Sequence, residues 1–195
     1  MMCVWGILFF EITSTLSQEE LVLVQSIRDA PWVVEHRHWM QLLSNWGMYP
    51  FYVFFLGILF LRIPKFQFVA WSWFWAELLG SGFLVFLIKT LTGRARPEYA
   101  LANGFSETWF SQIFSHTYQS FPSGHTTDLF TSALFVGLLT RTPLVVIPAF
   151  LLASLVAFSR IALAKHYLSD VLAGMLIATV STFLSVRNIQ PNVKT

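Results

Sequence analysis

The chain has 195 residues, of which 55% are hydrophobic and 11% are charged, and its formal net charge at pH 7 is +2. Because a typical soluble domain carries about 25% charged residues, this composition excludes an ordinary water-soluble fold. The small net charge and the scattered basic residues also exclude a nucleic-acid-binding surface, so no nucleic acid partner is expected.

Apolar segments predict the organisation of the chain from its N-terminus onwards. Residues 1–10 are apolar but lack the cleavage pattern of a signal peptide, and we interpret them as a short first span or a surface anchor. Further membrane spans are predicted at 48–61, 66–88, 126–140, 143–164 and 167–186, with long polar segments at 11–47 and 89–124. The predicted fold is all-α: one domain over residues 1–195, an integral-membrane bundle of five to six transmembrane helices.

Charged residues at the predicted turns indicate the orientation of this bundle. One end carries only basic residues, namely Arg62, Lys65, Arg141, Arg187 and Lys194, and by the positive-inside rule it is cytoplasmic. The other end holds both long polar segments and is predicted to be non-cytoplasmic. Basic residues at that end are not explained by orientation and indicate a functional site: Lys89, Arg94, Arg96, Arg160 and Lys165.

Two short motifs lie at the non-cytoplasmic end. The first runs from Lys89 to Arg96-Pro97, where the basic residues could equally be interfacial side chains that reach towards the headgroups. The second contains Ser123 and Gly124 directly before a helix predicted to begin near His125. A helix start with free N–H groups, a hydroxyl and a glycine suits a phosphate, although a plain Pro-Gly turn is the alternative.

A third motif runs from Ser159-Arg160 to Asp170. His166 and Asp170 are four residues apart, which predicts that they share one helical face. An aspartate against one imidazole nitrogen fixes the tautomer and leaves the other nitrogen for a substrate. A purely structural His–Asp pair is the alternative. The nearby Arg160 and the cost of an aspartate inside a membrane helix argue against it.

Together the three motifs resemble the signature of the type 2 phosphatidic acid phosphatase family. That signature reads Lys, six residues, Arg-Pro; then Pro-Ser-Gly-His; then Ser-Arg, five residues, His, three residues, Asp. Every position is present, in segments 89–97, 122–125 and 159–170, and the resemblance extends over roughly residues 50–186. Soluble vanadium haloperoxidases share this site, but the spans and small size of the chain favour the membrane lipid-phosphatase branch.

The resemblance implies a lipid phosphate phosphatase that needs no metal and no cofactor. His166 would attack phosphorus to form a phosphohistidine, Asp170 would orient its ring, and His125 would act as general acid. The implied phosphate-binding residues are Lys89, Arg96, Ser123, Gly124 and Arg160.

The implied substrate is a lipid phosphate or diphosphate, with membrane lipids as the other partners. Undecaprenyl diphosphate, phosphatidylglycerol phosphate, phosphatidic acid and the phosphates of lipid A all remain candidates. The expected location is the bacterial inner membrane, with the site facing the periplasm or exterior. Residues 98–121 mix amphipathic aromatics with few charges, and we expect them to form a lid that selects the headgroup.

Other polar residues leave alternative functions open. His36, His38 and His116 lack metal-ligand spacing, so we interpret them as solvated surface histidines. Glu77 and Asp128 are intramembrane acids, and Asp128, one turn beyond His125, could tune that histidine. Such acids also occur in transporters and scramblases, although that reading leaves the three motifs unexplained. A phosphotransferase with the same site is a further alternative.

Overall fold

The computed structural model describes residues 17–104 and 115–187, and every regular element within these ranges is helical. Helix α1 includes residues 17–28. The later elements are α2 (Pro31–Glu35), α3 (Arg37–Trp46), α4 (Tyr49–Phe60), α5 (Pro64–Ala76), a π-helical segment (Glu77–Leu84), α6 (Val85–Thr92), α7 (Pro97–Asn103), a 3-10 turn (His116–Tyr118), α8 (Gly124–Thr140), α9 (Pro143–Ala162) and α10 (Leu168–Arg187). The predicted all-α fold is confirmed, and the predicted anchor at 1–10 lies outside the described residues.

Four stretches within the described residues are long and apolar enough to cross a membrane. They are Arg37–Phe60, Pro64–Asn103, Pro143–Ala162 and Leu168–Arg187. The remaining predicted span, 126–140, corresponds to α8, which has 17 residues and is therefore slightly shorter than a typical span of about 20. These helices confirm the predicted membrane bundle.

The sequence analysis places the segment 11–47 outside the spans, whereas its last part, from Arg37, belongs to a membrane-length stretch. Helix α3 precedes α4 so closely that the two form one membrane-length stretch. At the end of α3, a Cβ atom on Gly47 would clash with Val156 Cγ2 in α9. The glycine therefore permits a close contact between α3 and α9, and this packing holds a polar segment against the bundle.

Helix α8 is the centre of the bundle and contacts α4, α5, the π-helical segment, α9 and α10. Phe55 of α4 stacks on Trp73 of α5 with ring centroids 4.7 Å apart, and its edge meets Phe135 of α8 at 6.4 Å. The indole Nε1 of Trp73 donates to Ser132 Oγ at 2.9 Å, so its polar atom is satisfied inside the bundle. These contacts fix α4 and α5 against the central helix.

The π-helical segment interrupts the strongest predicted span, 66–88. A Cβ atom on Gly80, within this segment, would clash with Ser181 Oγ of α10. The wider π turn and the glycine thus allow the two helices to approach closely.

The alternating direction of the helices places all three motifs at one end of the bundle. Helix α6 ends beside Gly93, whose left-handed backbone (φ 55°) closes the helix through a 3.0 Å bond from its N–H to Lys89 O. Helix α8 begins, α9 ends and α10 begins at this same end. The opposite end carries the basic residues predicted to group there: Arg62, Lys65, Arg141 and Arg187. Lys194 lies outside the described residues.

Candidate active site

Backbone hydrogen bonds hold the three motifs together. Arg96 N–H donates to Thr117 O at 2.9 Å, which ties the first motif to the segment preceding the second. Ser123 N–H donates to Asp170 O at 2.9 Å, which ties the second motif to the third. The three motifs, which lie between positions 89 and 170 of the sequence, therefore form a single site.

His166 and Asp170 form a buried pair, but not on a shared helical face as the spacing predicted. His166 lies in the turn between α9 and α10, where only 1% of it is exposed. Its Nδ1 is 3.3 Å from Asp170 Oδ2, and the same oxygen accepts the Tyr167 N–H at 2.9 Å. Asp170 thus reaches back from the first turn of α10. Because a carboxylate only accepts, Nδ1 carries the proton and Nε2 keeps a lone pair.

The environment of His166 favours the neutral imidazole. Burial lowers the pKa of His166 to about 3, against the opposing effect of its hydrogen bond to Asp170. The positive charges of Lys89 and Arg96 lower this pKa further. The ring is therefore uncharged near pH 7, and Nε2 needs no deprotonation before it can act as a nucleophile.

The carboxylate of Asp170 is held by a chain of polar contacts that reaches α1. Arg94 NH1 donates to Oδ1 at 2.6 Å, and Ser120 Oγ donates to Oδ2 at 2.5 Å. The other end of the Arg94 guanidinium, NH2, donates to Glu20 Oε2 at 2.6 Å. Glu20 also accepts the N–H and hydroxyl of Ser169 at 2.8 and 2.7 Å. Arg94 thus bridges two carboxylates and leaves Asp170 little freedom to move.

Three further cations converge beside this pair. Lys89, Arg96 and Arg160 lie close enough to interact electrostatically with one another and with His125. Arg96 and Arg160 are 4% and 8% exposed. None of the three has a carboxylate within 4.0 Å among the described residues. Buried charges without a partner cost several kcal/mol, so an anion bound here would stabilise the arrangement.

Each of these cations is held in place by neutral groups. Lys89 Nζ donates to Gln119 O at 2.6 Å, and Arg96 NH1 donates to Lys165 O at 3.2 Å. Arg160 donates to Ser44 Oγ of α3, while its buried Nε has no hydrogen-bond partner in the part of the chain that the structure describes. Because these partners are uncharged, the three cations keep their positive charge. The N–H groups of Lys89, Arg96 and Arg160 that make no such bond can donate to anionic oxygens.

The second motif forms the start of α8, one residue earlier than predicted. Ser123 is the N-cap, and its fully buried side chain accepts from Thr126 N and Oγ1 at 3.5 and 3.0 Å. Gly124 and His125 are the first two residues of the helix, where N–H groups are free of intrahelical bonds. A Cβ atom on Gly174 would lie 2.7 Å from Ser123 O, so α10 supports this turn at close range.

Comparison with known proteins agrees with this geometry. The model of the PAP2 superfamily matches residues 69–194, which is more than half of the chain. The chain belongs to the PAP2 superfamily. The resemblance predicted from the three motifs is thereby confirmed.

Several curated phosphatases are similar to part of the chain. A lipid A 1-phosphatase of Rhizobium etli is 34% identical over 55% of this chain and 46% of its own length. A decaprenylphosphoryl-5-phosphoribose phosphatase of Mycobacterium tuberculosis is 39% identical over 50% of each chain. A probable diacylglycerol pyrophosphate phosphatase 1 of Schizosaccharomyces pombe is 26% identical over 60% and 55%. The chain spans about half the length of these relatives, and no solved structure gives a significant match.

One histidine outside the PAP2 signature contacts the site. His116, predicted to be a solvated surface residue, is exposed, but its Nε2 lies 3.0 Å from Arg96 NH2 and its carbonyl accepts from Arg96 Nε at 2.9 Å. The site partly shields the His116 ring from solvent, and this shielding, together with the charge of Arg96, lowers the pKa of His116, which favours the neutral ring as an acceptor. His36 and His38 are exposed, as expected, and make only local contacts with the neighbouring Trp32 and Trp39.

The intramembrane acids pair with each other in the bundle interior. Glu77 is 8% exposed and lies within hydrogen-bonding reach of Asp128. Asp128 is also within reach of Tyr52 and Ser81. The charge of Asp128 also interacts with that of Lys89, and an effect of Asp128 on His125 stays a prediction.

Proposed function

We propose that the chain is a membrane phosphatase that removes the terminal phosphate of a lipid phosphate or diphosphate through a phosphohistidine on His166. The observation that carries this proposal is the convergence of three cations, none with a carboxylate within 4.0 Å among the described residues, on a neutral histidine that is paired with an ionised aspartate. A phosphate supplies the missing negative charge, and the histidine supplies the nucleophile. The names of the relatives support a lipid phosphate as substrate.

In the first step, Nε2 of His166 attacks phosphorus while the bond from phosphorus to the leaving oxygen breaks. His125 donates a proton to that oxygen, so the lipid leaves as an alcohol or, from a diphosphate, as a monophosphate. Burial and the neighbouring cations lower the pKa of His125 to about 4. In the proposal, the negative charge of the bound phosphate offsets those cations and raises this pKa, so that His125 is protonated in the complex. Lys89, Arg96 and Arg160 hold the non-bridging oxygens. The Nδ1 proton stays on His166 and stabilises the phosphorylated ring through Asp170.

In the second step, water attacks the phosphohistidine. His125, now unprotonated, takes a proton from this water, the N–P bond breaks, and inorganic phosphate leaves. Nε2 recovers its lone pair and His125 recovers its proton, so the cycle closes. The N–H groups of Gly124 and its neighbours at the start of α8 donate to the phosphate in both steps.

Arg94 and Glu20 serve as positioning residues in this proposal. Arg94 contacts Asp170 rather than the phosphate cluster, and Glu20 holds the far side of the same guanidinium. Ser120 fixes the second carboxylate oxygen. Together they keep Asp170 ionised and aimed at Nδ1, which determines the tautomer of the nucleophile.

The reaction is expected to proceed without a metal. No group of three or more His, Cys, Asp or Glu side chains is placed to hold an ion within residues 17–104 and 115–187. In the proposal, the three cations perform the charge stabilisation that Mg²⁺ provides in many other phosphoryl-transfer enzymes.

Phosphate release by purified protein in detergent tests the proposal. Wild type should release inorganic phosphate, without added acceptor, from at least one of phosphatidic acid, phosphatidylglycerol phosphate, undecaprenyl diphosphate and lipid A. Activity should persist in EDTA, and orthovanadate should inhibit because its trigonal-bipyramidal adduct on His166 resembles the transferring phosphoryl group. Activity that is lost in EDTA and restored by Mg²⁺, or release only when an alcohol acceptor is added, would contradict it.

The proposed orientation places the site on the non-cytoplasmic side of the membrane. Ala102 lies at the site end of the bundle and Thr142 at the opposite end, and both are exposed. Ala102→Cys and Thr142→Cys, each in a Cys3→Ser background, should react with a membrane-impermeant thiol reagent from opposite sides. We expect Ala102→Cys to be labelled in intact cells and Thr142→Cys only after permeabilisation. The reverse pattern would place the site in the cytoplasm.

A further inference from the structure

A polar cavity separate from the catalytic residues lies at the same end of the bundle. Its volume is about 280 Å³, and α1, α3, α7 and the end of α9 form its walls. The lining residues are three charged side chains and three apolar ones: Arg28, Arg37, Glu98, Leu101, Ala102 and Leu163. None of them belongs to the PAP2 signature, so the cavity is distinct from the proposed phosphate site.

The charge of this cavity is not balanced. Arg28 and Arg37 are half-buried, and within the described ranges neither has a carboxylate within 4.0 Å. The one acidic side chain in the wall, Glu98, is already paired with Lys165 Nζ at 2.5 Å. Two guanidinium groups on a partly enclosed wall, without counter-ions, favour an anion with several oxygens, such as a phosphate.

The cavity adjoins the catalytic turn. Leu163, in the cavity wall, begins the turn that carries His166. Lys165, in the same turn, contacts both sites, because its ammonium pairs with Glu98 while its carbonyl accepts from Arg96. An extended headgroup could therefore occupy both places at once, with one phosphate at His166 and another anionic group at the arginines.

We infer that the cavity of Arg28 and Arg37 binds a second phosphate of the substrate headgroup. The inference rests on the proposed function and narrows its substrate class to lipids that carry two separate phosphate groups. The terminal phosphate is cleaved at His166, and the second phosphate remains uncleaved at the arginines, where it adds affinity. Helix α7, which opens the segment 98–121 that the sequence predicts to select the headgroup, forms part of this wall.

Lipid binding tests the inference independently of turnover. His166→Ala protein in neutral detergent is titrated with phosphatidic acid, which has one phosphate, and with phosphatidylglycerol phosphate and lipid A, which have two. At least one two-phosphate lipid should bind more tightly than phosphatidic acid. Adding Arg28→Gln and Arg37→Gln should weaken that binding by roughly tenfold or more, because two charge-assisted contacts are lost. Binding of phosphatidic acid should change less than threefold.

A matched control separates this effect from general attraction by positive charge. Arg62→Gln with Arg141→Gln removes the same charge from the opposite end of the bundle and should leave all three affinities unchanged. Equal weakening for one-phosphate and two-phosphate lipids, or no weakening at all, would overturn the inference. If added phosphatidylglycerol competes at the arginines while the substrate stays bound, the cavity holds a neighbouring phospholipid and the inference is likewise overturned.

Turnover separates this inference from the proposed function. In the background with an intact His166, the Arg28→Gln, Arg37→Gln protein should show a raised KM for the preferred two-phosphate lipid and a kcat within about twofold of wild type. Absence of phosphate release by wild type from every lipid contradicts the proposed function. Normal release with no dependence on the two arginines contradicts only the second phosphate site.

Discussion

Replacing His166 with alanine should reduce phosphate release by at least about a thousandfold, a loss of about 4 kcal/mol of transition-state stabilisation. The substitution removes the atom proposed to bond to phosphorus. The protein should still fold, because Asp170 keeps its bonds from Arg94, Ser120 and the Tyr167 N–H. Phosphate release and thermal unfolding, measured on the same preparation, separate lost chemistry from lost structure.

His125→Ala provides the matched comparison, because His125 is proposed to protonate the leaving oxygen. The activity of His125→Ala on a lipid phosphate ester, whose leaving group is an alcohol, should also fall steeply. Its activity on p-nitrophenyl phosphate, whose leaving group needs little protonation, should fall much less. His166→Ala should lose activity on both substrates. If it kept activity within about tenfold of wild type on either, the nucleophile assignment would be wrong.

The helices could be predicted from sequence because their signals are local. The predicted span 143–164 corresponds to α9 (Pro143–Ala162), and 167–186 corresponds to α10 (Leu168–Arg187). In both cases a proline or a polar turn marks the boundary. The sequence does not predict the π-helical segment, because its apolar residues are equally compatible with a continuous α-helix.

The motifs predicted which residues lie close together, but they did not predict the contacts that position the side chains. The spacing of His166 and Asp170 predicted a shared helical face, whereas Asp170 in fact reaches back to a residue in the preceding turn. Ser123 was predicted to contact phosphate, and the structure uses its side chain as the N-cap of α8. The same residue type at a helix start serves either purpose, so the spacing alone does not distinguish them, and the phosphate contact stays a prediction.

The supporting contacts could not be predicted because they join distant parts of the chain. Glu20 bonds to Ser169, 149 positions away, and no local pattern relates the two. Arg94 was noted only as a basic residue without an orientational reason, and its partner Asp170 lies 76 positions away. His116 was set aside for lack of metal-ligand spacing, although its role is to contact Arg96. Such contacts follow from helix packing rather than from any single segment.

Replacing Arg94 with alanine should lower kcat by about a hundredfold, or about 2.7 kcal/mol, and change KM less than threefold. The substitution removes the guanidinium that holds Asp170 Oδ1 at 2.6 Å, so the carboxylate no longer fixes His166 in one tautomer. KM should stay nearly unchanged because Arg94 contacts carboxylates and does not belong to the cation cluster that is proposed to bind phosphate. Arg94→Lys should recover only part of the loss, since an ammonium lacks the fork that bridges Glu20 and Asp170.

Two further measurements distinguish positioning from plain structural support. Guanidinium ion added to the Arg94→Ala protein should restore part of the lost kcat and should restore nothing to His166→Ala, because only the former keeps the nucleophile. Glu20→Gln should lower kcat less than Arg94→Ala does. The double variant should have a kcat only slightly below that of Arg94→Ala alone, because both residues act on Asp170 through one guanidinium. An Arg94→Ala protein that unfolds at a lower temperature yet turns over with wild-type kcat and pH profile would show that the contact supports the fold and does not position His166.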